Sequence, residues 1–205
     1  MKILSTAFKI TLFIFICIAL YKEIYVDGAI VLGAFYYFTI QSNILVAFYL
    51  MLFAFVPVKS RVRCLLRGIA LLAITLTGIV YNFVLYNIFL DWGTAGYTFA
   101  RTITHVVAPL GFIADWILFD KRRTMKLKDI FLWLVYPAVY GLIFAYVSYR
   151  YDFYIYFFFS TTNDRIALIM QLSLLLCFAI IIGLFYFGLD KLIGHLQNKS
   201  CKCRI

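Results

Sequence analysis

Six runs of apolar residues, each near the length a helix needs to cross a bilayer, divide this chain from end to end. They cover about 4–21, 29–56, 68–90, 99–119, 129–149 and 166–190. The hydrocarbon core of a bilayer takes roughly 20 apolar residues at a helical rise of about 1.5 Å per residue. The runs are continuously apolar rather than alternating, so they read as helices and not as strands of a barrel. The expected fold is an all-α integral membrane bundle of six transmembrane helices, with residues 1–205 as a single domain. At 65% hydrophobic and 14% charged residues, the chain leaves no room for a separate soluble domain. The second and sixth runs are long enough to tilt or to start in the headgroup region.

The formal charge of +10 invites a nucleic-acid partner, but the cations sit in short segments between apolar runs. No folded basic surface is there to carry them, so membrane topology explains them and nucleic acid is not expected. Lys59, Arg61, Arg63 and Arg67 lie between the second and third runs, and Lys121, Arg122, Arg123, Lys126 and Lys128 between the fourth and fifth. Lys191, Lys199, Lys202 and Arg204 follow the sixth, and Lys2 opens the chain. The alternate segments hold only Lys22, Arg101, Arg150 and Arg165. The positive-inside rule then puts both termini in the cytoplasm.

The first run follows Met1-Lys2 in the manner of a signal peptide, yet no small-x-small site precedes Tyr21-Lys22-Glu23. It is read as an uncleaved first span, with Lys9 inside it. The outer segments are aromatic, above all 149–160, which suits an interfacial belt or a lid over a lipid pocket. Of the five cysteines, Cys17 and Cys177 fall in spans and Cys64, Cys201 and Cys203 in basic segments, so no disulfide framework is expected. Cys201 and Cys203 are acylation candidates in a host with the enzymes for it.

Polar residues inside the spans carry the functional signal, because an ionisable group in hydrocarbon costs about 2.5–3.5 kcal/mol on insertion scales. The fourth run holds His105, Pro109 and Asp115, with Arg101 one turn before the histidine. Pro109 has no N–H to reach the carbonyl of His105, so a kink is expected there. Asp115 is ten residues on, about 15 Å along the axis, too far to orient the imidazole. Pairing with a basic group or with another helix is the role left to it. In the second run, Thr39, Ser42 and Asn43 share one helix face. Helical rise puts Thr39 about 14 Å and His105 roughly 9 Å below the outer ends of their runs, compatible depths. Asn82 and Tyr86 in the third run, and Gln171 and Ser173 in the sixth, fall in the same outer half. A histidine, a threonine and several amides at one level make a site hypothesis, against the alternative that they are interhelical glue.

The segments Tyr37-Phe38-Thr39-x-Gln41-Ser42-Asn43 and His105-x3-Pro109-x5-Asp115-Trp116-x-Leu118-Phe119 resemble a bacterial branch of the androgen-induced-gene family of multi-pass membrane proteins. The animal members are hydrolases of fatty acid esters of hydroxy fatty acids that use an intramembrane Thr and His. The resemblance implies Thr39 as nucleophile and His105 as general base, with an acyl-ester lipid as substrate and membrane lipids as surroundings. It implies a cell-membrane location, or the endoplasmic reticulum in a eukaryotic host. A neutral imidazole can take the hydroxyl proton that makes threonine reactive. Asn43, Asn82 and Gln171 are the candidate oxyanion donors, Arg101 is a candidate for a lipid carboxylate, and Ser42 stands as an alternative nucleophile.

Two other readings stay open. One is a small proton-coupled carrier with His105 as the titrating group. The other is a structural or partner-binding bundle. No cofactor is expected, and a metal or haem site lacks ligands, since the second histidine, His195, sits in the tail. Oligomeric state is left open.

Overall fold

A computed structural model of the chain describes residues 2–55, 61–86, 98–120, 124–156 and 165–202, with side chains at 166–197 in the last segment. Lys59, Asp91, Lys121, Arg122, Arg123, Asp164, Cys203, Arg204 and the 157–160 part of the aromatic run lie outside the described residues. So do the side chains of Arg165, Lys199, Cys201 and Lys202. The protein is all-α, and among the described residues six helices are long and apolar enough to cross a membrane. It is a multi-pass membrane protein. The helices are α1 (Lys2–Ile24), α2 (Phe38–Phe55), α3 (Arg61–Leu85), α4 (Phe99–Phe119), α5 (Asp129–Tyr151) and α6 (Arg165–Lys202).

The fourth helix spans the expected residues. The second does not: it starts at Phe38, not near 29. Residues Tyr25–Val26 (β1) and Ala29–Ile30 (β2) instead form a two-stranded antiparallel hairpin, and Leu32–Tyr36 a 3₁₀ turn. The cause is Asp27-Gly28, whose φ values are 51° and 83°. Two successive positive φ angles are what a two-residue hairpin turn requires and a right-handed helix forbids. Thr39 is therefore in the first turn of α2, not about 14 Å down it. The third helix starts at Arg61 rather than near 68, so Arg61, Arg63 and Arg67 are helical residues rather than loop residues, and residues 87–90 of the expected span lie outside the described residues. The first helix runs two and three residues past the ends of its expected span and the fifth two residues past 149, while the sixth continues to Lys202, twelve residues past 190, so Lys191 and His195 are helical residues rather than tail residues.

The chain forms two compact units, 1–120 and 121–205. In the first, α4 packs against α1, α2 and α3. Thr98 caps its start by accepting from Arg101 N–H at 3.2 Å. Absent side chains allow close approach at two points. A Cβ at Gly111 of α4 would stand 2.8 Å from Leu12 Cδ1 on α1, and one at Gly78 of α3 would stand 3.1 Å from Pro109 Cβ on α4. The core between these helices includes Ile16, Leu50, Leu71, Ile74, Phe112 and Trp116.

One end of this unit is tied by charge. Lys9 of α1 and Asp115 of α4 form a salt bridge with side chains only 2% and 1% exposed, and Lys9 also donates to Ser5 Oγ. Asp120, where α4 ends, accepts from Arg63 at 3.2 Å and forms a salt bridge with Arg67 at 2.8 Å, and Arg63 lies within 3.4 Å of Tyr49 Oη on α2. Asp115 thus has the basic partner it was expected to need, contributed by the first helix.

In the second unit α5 and α6 are antiparallel. Ile130 meets Gly183 at one level and Gly141 meets Leu172 further along. Asp190 and Lys191 of α6 bind the backbone N–H and carbonyl of Met125, fixing the approach to α5. Asp129 accepts from Lys126 N–H at 2.9 Å, closing the turn that leads into α5.

Candidate functional site

His105 lies in a π-helical stretch, Ile103–Val107, inside α4. In that register the N–H of Ala108 reaches back to the carbonyl of Ile103, and the next donor in line would be Pro109. Proline has none. The carbonyls of Thr104 and His105 are thereby released, and each is met by an asparagine from another helix. Asn43 Nδ2 of α2 donates to Thr104 O at 3.1 Å, and Asn82 Nδ2 of α3 donates to His105 O at 3.0 Å. The same amides also donate to the carbonyl one turn back in their own helices, Asn43 to Thr39 O at 2.8 Å and Asn82 to Gly78 O at 2.7 Å. Both N–H bonds of each asparagine are thus committed to backbone carbonyls. These two residues brace the histidine turn, and an oxyanion needs donors from elsewhere.

The imidazole is 8% exposed, with its two nitrogens in different surroundings. Nδ1 is 3.0 Å from the carbonyl oxygen of Arg101. A carbonyl only accepts, so in the neutral ring Nδ1 carries the hydrogen. Thr104 Oγ1, itself donating to Ala100 O, sits 3.0 Å from the same nitrogen. Nε2 is left with its lone pair, and it faces Thr39 Oγ1 at 3.2 Å. The tautomer that binds Arg101 is therefore the one able to take a proton from Thr39.

Thr39 reaches this position from the first turn of α2, where it is half-buried. Gln41 Nε2 donates to Phe35 O at 2.9 Å, tying the 3₁₀ turn to the start of the helix. Ser42 is fully buried, 2.7 Å from Thr77 Oγ1 and 3.0 Å from Thr39 O, so its hydroxyl is engaged between α2 and α3. Arg101 is half-buried and interacts electrostatically with Glu23 at the end of α1. Gln171 belongs to the second unit, on α6, where its amide oxygen is buried without a hydrogen-bond partner among the described residues. The site around His105 is built within the first unit from Thr39, Asn43, Asn82 and Arg101. Among the described residues, no group of three metal-ligating side chains is present.

Two participants carried no sequence signal of their own. Tyr81 opens a second π-helical stretch, Tyr81–Leu85 at the end of α3, and its ring stacks on that of His105 with centroids 3.6 Å apart and planes 24° apart. Thr104 precedes His105 in the same π stretch, and its hydroxyl lies 3.0 Å from Nδ1.

The chain is thus an all-α multi-pass membrane protein with a part-buried Thr–His contact in its first unit. No family model and no solved structure matches it. An uncharacterized Mycoplasma genitalium protein, MG452, is 30% identical over 126 residues, covering 55% of this chain and 46% of that protein. The chain spans about half the length of this curated relative.

Proposed function

We propose that the protein is an intramembrane lipid ester hydrolase, with Thr39 as nucleophile and His105 as general base, in the androgen-induced-gene family that its sequence resembles. The observation that carries this reading is the contact of Thr39 Oγ1 with His105 Nε2, made while Nδ1 is held by a carbonyl. Nucleophile and base within hydrogen-bond reach, with the base oriented by a third group, is the arrangement covalent acyl transfer needs.

Nε2 takes the Thr39 proton as Oγ1 attacks the ester carbonyl carbon. The tetrahedral adduct collapses, the carbon–oxygen bond to the alcohol breaks, and the leaving alkoxide takes the proton from the imidazolium. Water then gives a proton to Nε2 and attacks the acyl-threonine. The carboxylic acid departs and Thr39 recovers its hydrogen. Ser42, engaged with Thr77, is less suited to the first step than half-buried Thr39.

The substrate in this reading is an acyl ester drawn from the outer half of a cell membrane. The positive-inside distribution supports cytoplasmic termini and a plasma-membrane location in a bacterium. Fluorophosphonate labelling of purified wild type, Thr39→Ala and His105→Ala tests the mechanism: the reading expects labelling of wild type alone.

A further inference from the structure

The Thr–His pair lacks the carboxylate that stabilises a protonated histidine in a serine-protease triad. Among the described residues the polar partners of the His105 ring are Thr39 Oγ1, Thr104 Oγ1 and the carbonyl of Arg101. All are neutral. The Arg101 side chain, one turn earlier on α4, is a like charge to an imidazolium, offset in part by Glu23. Asp115 is engaged with Lys9 at the other end of the helix. Something else must favour the cation that forms when Nε2 takes a proton.

Tyr81 is in position for that. Its ring is 5% exposed and lies nearly parallel over the imidazole, centroids 3.6 Å apart. Two neutral aromatic rings avoid this face-to-face alignment and prefer an offset or an edge-to-face contact. A cation centred over a ring face is the favoured arrangement, more so when water is excluded. The placement is built in. Gly78, one turn before Tyr81, lets α3 come against Pro109 and the carbonyl of His105, and the π stretch from Tyr81 to Leu85 follows from there.

We propose that Tyr81 is a positioning residue for the base, its ring face stabilising the imidazolium that His105 becomes as it accepts the Thr39 proton. This rests on the hydrolase reading given above. The role requires the π face, not the phenol oxygen, and it acts on the chemical step rather than on ligand binding.

The test uses the full chain purified in detergent and a long-chain alkyl fluorophosphonate, reading the limiting labelling rate and the half-saturating probe concentration separately. Tyr81→Phe retains the limiting rate within about twofold, and Tyr81→Leu loses about tenfold at an unchanged half-saturating concentration. Mono-, di- and trifluorinated phenylalanine at position 81 drain the ring face of charge with little change in volume. Across that series the limiting rate falls stepwise. The series also decides the matter if Tyr81→Leu fails to fold, since packing alone would leave it flat. A flat series, or Tyr81→Leu labelling at the wild-type rate, overturns this role while leaving the Thr–His reading intact. Labelling that survives Thr39→Ala overturns both.

Discussion

Asn82 donates a hydrogen bond from α3 to the carbonyl oxygen of His105 on α4, 3.0 Å away, where Pro109 leaves that carbonyl without its helical donor. Asn43 does the same from α2 for the neighbouring carbonyl of Thr104. Three helices thus converge on one turn of backbone. In a membrane interior no water relieves an unpaired carbonyl, so the proline and the two asparagines form one device.

Removing a brace should therefore cost more than its exposure suggests. Asn82→Leu leaves the His105 carbonyl without this donor, a loss of about 1–3 kcal/mol. Thermal unfolding in detergent should show a lower midpoint, together with slower fluorophosphonate labelling as the imidazole loosens. Unchanged stability and labelling would mean that the turn is held by something other than Asn82.

The Lys9–Asp115 pair predicts an asymmetric mutant cycle. Lys9→Met strands a buried carboxylate, and Asp115→Leu strands a buried ammonium, each costing about 3–5 kcal/mol. The double variant replaces both charges with apolar groups in an apolar setting, so it should be more stable than either single one. Equal and additive losses across the cycle would show that the two charges do not depend on each other.

Gly78 is expected to tolerate little. A Cβ there would meet Pro109 Cβ and Cγ at 3.1 Å and His105 O at 3.4 Å. Gly78→Val should push α3 from α4 at a cost of about 1–3 kcal/mol, read as a lower unfolding midpoint. The exposed face of the same helix supplies the control: Phe83→Leu should leave the midpoint unchanged.

The six helices were legible because apolar run length is a strong signal and lipid leaves the backbone few alternatives. His105 stands out as a costly ionisable residue of its span, and Thr39 through the face it shares with Ser42 and Asn43 and through the family resemblance. What was not legible was how they meet. Hydropathy alone gives one helix from 29 because the run is apolar throughout, and it overrides Asp27-Gly28, a two-residue hairpin signal. The π stretches at 81–85 and 103–107 leave no mark in composition, and they set the meeting of Tyr81, Thr104 and the His105 ring. Asn43 and Asn82 were legible as polar groups at the right level. Their commitment to backbone carbonyls depends on contacts with other helices, which spacing along one helix does not encode. Lys9 and Asp115, 106 residues apart, were separate oddities until the fold paired them.

As the proposed nucleophile, the Thr39 hydroxyl facing His105 Nε2 at 3.2 Å should itself carry the covalent adduct. The most direct measurement is the mass of tryptic peptides from wild type, Thr39→Ala and His105→Ala after reaction with an alkyl fluorophosphonate, with folding of each variant checked by size exclusion. One phosphonate adduct is expected on Thr39 in the wild type and none in either variant. An adduct on another residue, or equal labelling of all three proteins, would contradict it.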